Sequence, residues 1–185
     1  MSGHSKWAQI KRQKASTDAA KSRVFARFAR RIALESKMVG GDLSAPALKT
    51  EIDRAKMVNM PKDSIARAVA KGTSKDSASL ERVLYECYGP GGVAIVIDAL
   101  TDNRNRTTQE IKYLLSKQGI ELAAQGSALW AFTKNQNTFI PSEQTLLVVE
   151  GVDSEKLESL LLLLDEYDDT QVVYTNARGY ESTGD

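Results

Sequence analysis

The chain of 185 residues has one cysteine, Cys87, and one histidine, His4. This scarcity excludes a disulfide framework, a Cys/His zinc cage and a histidine-centred catalytic or metal cluster, because each needs several such side chains. A single cysteine suits a reducing compartment. Long apolar runs are also lacking. The longest, Leu160 to Leu164, is far short of the roughly 20 residues that a membrane-spanning helix needs, and the polar start Met1-Ser2-Gly3-His4-Ser5-Lys6 has no signal-peptide core. The expectation is a cytoplasmic protein with no membrane partner. Hydrophobic residues make up 42% and charged residues 26% of the chain, enough apolar surface for a packed core.

What the chain has instead is a polarised charge. The net of +1 conceals 16 lysines and arginines against six acids up to Gly72, a net of +10, and nine against 18 beyond it, a net of −9. Within residues 1–31, nine cations (Lys6, Lys11, Arg12, Lys14, Lys21, Arg23, Arg27, Arg30 and Arg31) face only Asp18. Such a run is either a solvated face that maintains solubility or a surface for a polyanion; an asymmetry this large between two halves favours phosphates.

Periodicity divides the chain at the same place. A helix is expected from Thr17 or Asp18 to Gly40-Gly41, with Phe25, Phe28, Ile32 and Val39 in one stripe at about 100° per residue and Arg23, Arg27, Arg30 and Arg31 opposite. A second helix opens at Ser44 and Pro46 and closes at Asn59, and a third runs from Pro61 to Gly72. The polar stretch Thr73 to Ser77 reads as a linker. Beyond it the pattern becomes strand-like: Arg82 to Tyr88, a glycine turn, then Val93 to Ile97. Thr107 to Glu110 reads as a capping box for a helix ending at Gly119. Ala128 to Phe132 and Thr138 to Ile140 suggest a hairpin around a Lys134–Asn137 turn, Leu146 to Val149 a further strand, Asp153 the cap of a leucine-rich helix, and Gln171 to Tyr174 a last strand. The fold class expected is α+β: a basic three-helix domain over residues 1–76, an α/β sandwich over 77–178 with helices on one face of a mostly antiparallel sheet, and a tail over 179–185.

Four places invite a chemical reading. In the arm Gly3 to Arg12, His4 and Trp7 stand among cations, a mixture suited to base stacking with phosphate contacts, although Trp7 is equally a staple onto the helical unit. Gly89-Pro90-Gly91-Gly92 could present backbone N–H groups to a phosphate, but it runs strand to strand, the context of a hairpin turn and not of a nucleotide loop. Thr101 to Arg106 brings Arg104 and Arg106 to a strand exit, as an anion contact or as an Asx turn satisfying its own backbone. Asp98 and Asp102 alone are a weak metal signal, and Cys87 reads as a small buried hydrophobe. No nucleophile stands beside a base, so catalytic residues, metal and cofactors are all expected to be none. An enzyme built around the glycine loop is the remote alternative.

Gly3-His4-Ser5-Lys6-Trp7, Asn59-Met60-Pro61-Lys62-Asp63, Tyr88-Gly89-Pro90-Gly91-Gly92-Val93 and Thr101-Asp102-Asn103-Arg104-Asn105-Arg106-Thr107 together resemble the YebC family, which includes the mitochondrial translational activator TACO. The resemblance implies a DNA-binding regulator of transcription or, in other members, a translation factor acting on the ribosome. It also implies three domains, the third inserted in the second. Between Phe132 and Phe139 this sequence has room only for a turn, so that inserted domain is expected to be missing. The reading at this point is a non-enzymatic nucleic-acid-binding regulator. Its phosphate contacts fall to Lys6, Lys11, Arg12, Lys14, Lys21, Arg23, Arg27, Arg30 and Arg31, its stacking to His4 and Trp7, and its secondary contacts to Gly89, Gly91, Gly92, Arg104 and Arg106. A ribosome-associated translation factor is the alternative, with ribosomal RNA as the partner.

Overall fold

The computed structural model describes residues 6–14, 17–74 and 79–182. Two compact units emerge, residues 17–81 and a second that joins 1–16 to 82–185.

The helical unit is built on α2 (Asp18–Met38), α3 (Pro46–Met57) and α4 (Lys62–Thr73). Thr17 caps α2 by accepting the Ala20 N–H at 3.2 Å, and Pro46 opens α3 where its missing N–H costs nothing. Phe28, Ile32, Leu48, Ala55, Met60, Ile65 and Ala68 form one core. Gly72 permits the close crossing of α2 and α4. A Cβ there would strike the Ala33 carbonyl oxygen and lie 2.7 Å from the Ser36 Cβ, while the Ser36 hydroxyl donates to the Val69 carbonyl at 2.8 Å.

The second unit is organised by a three-stranded sheet in the order β1 (Glu81–Tyr88), β2 (Ala94–Thr101), β5 (Thr170–Thr175). β2 lies in the middle, buried along its whole length, which explains the apolar run Ala94–Ile97, and pairs antiparallel with β5. On one face, α5 (Arg104–Ser116) and α6 (Gly151–Glu166) supply Ile111, Leu115, Leu157, Leu160, Leu161 and Leu164 to a core with Val83, Ile95, Ile97 and Val173. On the other, the antiparallel hairpin of β3 (Phe132–Asn135) and β4 (Thr138–Pro141) packs Phe132 and Phe139 against Val96 and Tyr174. Only residues 136 and 137 join β3 to β4.

Several expectations need correction. The N-terminal arm contains a helix, α1 (Lys6–Lys14), that belongs with the sheet unit and not with the helical one. Its Trp7 is only 2% exposed within the core under α6, and the Trp7 N–H donates to the Gly179 carbonyl at 3.2 Å. The tail is partly core as well, since Tyr180 is buried in the same cluster. α5 begins at Arg104, capped by Asn103 and not by a box at Thr107. Thr107 is buried and donates to Asp169 at 2.6 Å. Glu150, not Asp153, precedes α6, and residues 146–149 make only an isolated bridge between Leu147 and Ala177. Of the expected linker, residues 75–77 lie outside those described.

Candidate nucleic-acid interface

On α1, Lys6 and Lys11 face acids of the same unit. Lys6 pairs with Glu158, donates to Ser154 Oγ at 3.3 Å and stands 5.4 Å from the Tyr180 ring centroid. Tyr180 in turn donates to Glu158 at 2.6 Å. Burial raises the Glu158 pKa, but the hydrogen bonds from Lys6 and Tyr180 and the Lys6 charge outweigh it and hold the carboxyl below its ordinary value. Lys11 lies 3.7 Å from Asp165 and 5.4 Å from the Trp7 ring, and Arg12 donates from Nε to the Ala8 carbonyl at 3.3 Å. Residues 150–169 carry eight acids and only Lys156 against them, so this end of the chain supplies the counter-charge for α1. His4 lies outside the described residues, as does the side chain of Lys14.

α2 is organised differently. From Phe28 onward its buried positions, Phe28, Ile32, Ala33 and Ser36, fall on one side, and Arg23, Arg27 and Arg30 lie on the opposite arc, each partly exposed, with Ala20 of the first turn buried on that arc. Arg31 lies at the edge, its guanidinium 5.8 Å from the Phe28 ring, and Lys21 is exposed in the first turn. Counted by folded unit, residues 17–81 hold 13 basic against eight acidic residues, a net of +5, and the sheet unit 12 against 16, a net of −4. Folding thus halves the contrast read along the chain, because α1 moves to the acidic side.

The glycine loop is a turn. Gly89 N–H donates to Val93 O at 2.8 Å and Gly92 N–H to Gly89 O at 3.0 Å, so two of its backbone donors serve the turn itself. Gly91 and Gly92 have φ of +74° and +76°, where glycine is the residue at ease. At the β2 exit, Arg106 donates to Asp102 at 3.1 Å and to the buried Asp169 at 2.8 Å, and Asn103 Oδ1 accepts the Arg106 N–H. The Asx-turn reading therefore describes this segment, with Arg104 exposed at its edge. Asp98 is likewise engaged, by Arg82 through two hydrogen bonds of 2.8 and 2.6 Å. Asp98 and Asp102 thus serve separate arginines instead of a shared ion. Burial pushes the Cys87 thiol up to about 12, which leaves it protonated and inert as a nucleophile.

One feature of the sheet unit escaped the sequence reading. Trp130, expected within a strand, sits in a 3₁₀ turn (Leu129–Ala131) between the buried Ala128 and Ala131 and is 63% exposed. Its indole N–H donates to the Tyr88 hydroxyl at 2.9 Å, and that hydroxyl donates to the Ser127 carbonyl. The buried Glu86 carboxylate holds the preceding turn, accepting N–H groups from Gly126 at 2.5 Å, Ala128 at 2.7 Å and Leu129 at 3.1 Å. The available signal was a glutamate within the otherwise apolar stretch from Val83 to Tyr88.

These features define a class: an α+β chain with a cationic helical unit and a sheet unit in which Lys6 and Lys11 of a basic helix pair with acids. Residues 5–75 match the TACO1/YebC protein N-terminal domain and residues 80–136 the TACO1/YebC second and third domain. The chain belongs to this family. Among its relatives are proteins named "Probable transcriptional regulatory protein" from Petrotoga mobilis, 44% identical over 83% of this chain and 60% of the relative, and from Carboxydothermus hydrogenoformans, 45% identical over 89% and 66%. The chain thus spans about two thirds or less of these relatives' length. The crystal structure of a conserved hypothetical protein, Aq1575 from Aquifex aeolicus, superposes with a TM-score of 0.81 at 28% identity, covering 93% of this chain and 96% of that one.

Proposed function

We propose that the protein is a non-enzymatic, cytoplasmic regulator of gene expression that binds nucleic acid through the outer arc of α2. The observation that carries this reading is the arc of Arg23, Arg27 and Arg30 opposite the packed stripe, in the unit that retains a net +5 after folding. Guanidinium groups on one arc of a helix present a row of cations whose forked donors suit phosphate oxygens, and each contact releases counterions. The names of the relatives as transcriptional regulatory proteins support the same reading, with DNA as the first partner to test.

The test is a salt titration of duplex binding by the full chain. Affinity falls log-linearly with salt, at a slope near −0.9 per phosphate contact. Replacing Arg23, Arg27 and Arg30 together by alanine reduces the magnitude of the slope by about 2 to 3 and weakens all duplex sequences alike. An unchanged slope overturns the reading. Sedimentation with ribosomes at the same salt, compared with duplex retention, separates a transcriptional from a translational site of action.

A further inference from the structure

Tryptophan is the largest side chain, and 63% exposure is high for one held between two buried alanines. Its only polar atom is already satisfied by Tyr88, whose hydroxyl is satisfied in turn by Ser127. Tyr88 is itself 40% exposed. The pair therefore offers ring surface with its polar edge used up, and a partner gains from it through π-face contact. The turn is also rigid, since three N–H groups of residues 126–129 converge on the buried Glu86. Ordering such a platform on binding costs little entropy.

The charge around it is unusual for this unit. Residues 122–142 contain no acid at all and one cation, the exposed Lys134, within a unit whose net is −4. Arg82 reaches the neighbouring hairpin turn, donating to the Asn137 carbonyl at 2.6 Å. The aromatic surface thus stands on a stretch with no acid of its own, and the Glu86 carboxylate beneath it is buried and occupied by three N–H groups.

We infer that Trp130, braced by Tyr88, is a stacking platform for an unpaired nucleobase, so that the protein prefers single-stranded segments over closed duplex. This rests on the nucleic-acid reading above and specifies the kind of nucleic acid. A paired base hides both faces in the stack, whereas an unpaired one exposes a face to the indole. The stacking contribution carries little salt dependence, in contrast to the α2 arginines.

The experiment compares a short oligothymidylate with a blunt DNA duplex on the full chain, by anisotropy of the labelled nucleic acid. Trp130→Ala is expected to weaken oligothymidylate binding between about 5-fold and 150-fold, the equivalent of ~1–3 kcal/mol per stacked base, and to leave duplex binding within about twofold. Trp130→Phe retains a ring and restores most of the single-strand affinity. Oligothymidylate also quenches the emission of Trp130, while Trp7 is shielded in the core. Equal single-strand affinity for wild type and Trp130→Ala, with the wild type still binding duplex, overturns this inference alone. Failure of the wild type to bind either probe overturns the nucleic-acid reading with it. Sedimentation showing that Trp130→Ala dissolves a dimer, without loss of oligothymidylate affinity, assigns the surface to a second copy and overturns the inference.

Discussion

α1 and α2 are both rich in lysine and arginine, follow one another in the chain, and play opposite parts. In α1 the cations at Lys6 and Lys11 meet Glu158 and Asp165, and the helix adds a buried indole to the core. In α2 the packed stripe is made by Phe28 and Ile32, and the arginines lie away from it. The difference is in the company each helix keeps. α1 docks on a unit with an excess of acids, whereas α2 organises a unit with an excess of bases. A run of cations therefore identifies a polyanion site only after the protein's own carboxylates have been accounted for.

The comparison is broken most severely at Trp7. Replacing it with alanine empties a core position, and the expected loss is ~3–5 kcal/mol in the stability of the sheet unit, read by urea denaturation. Duplex binding through α2 should persist at denaturant concentrations that leave the helical unit folded. Equal destabilisation of both units would mean that α1 belongs to neither in the way described.

The second prediction sharpens the contrast. Lys6→Ala with Lys11→Ala should leave the salt slope of nucleic-acid binding unchanged, while the triple arginine substitution on α2 reduces it as stated above. A slope that responds equally to both would return α1 to the phosphate surface.

A third, smaller effect concerns the frame that presents the arginines. Gly72→Ala places a methyl group against the Ala33 backbone carbonyl, which has no flexible end to move aside. A loss of ~1–3 kcal/mol is expected in the helical unit alone, measured by far-ultraviolet circular dichroism on thermal melting.

The smallest effect is a pH dependence of α1 docking. Glu158 is depressed in the fold, so the stability it contributes is complete above its ordinary carboxylate range and is lost as pH falls through its lowered folded value. Acid should therefore loosen α1, visible as a red shift of Trp7 emission in a Trp130→Phe background. Glu158→Gln should remove that step. Persistence of the full acid transition in Glu158→Gln would assign it to another carboxylate.

Much of the architecture could be read from periodicity. The α2 stripe, the Pro46 start, the alternation around β1, the β3–β4 hairpin and the leucine face of α6 are local patterns, and local patterns survive in the folded chain because each element must bury its own apolar face. The binary pattern also placed Arg23, Arg27 and Arg30 opposite the core of α2. What failed were readings that depended on distant partners. Asn103 in place of Thr107 as the cap follows from Thr107 finding Asp169, 62 residues away. Arg106 looked available because Asp169 was not visible as its neighbour.

The amino-acid order by itself determined the two classes of element, the place where one period gives way to the other, and the side of α2 on which its charge lies, since these depend on spacings of a few residues. The tertiary structure decided which unit α1 joins, that Trp7 is buried while Trp130 is exposed, and that the charge contrast is +5 against −4 instead of +10 against −9. Trp7 among cations and Trp130 in an apolar stretch invite the opposite assignment in one dimension; only long-range packing, which brings Tyr180 and α6 over the first and leaves the second on an outward turn, separates the core residue from the surface one.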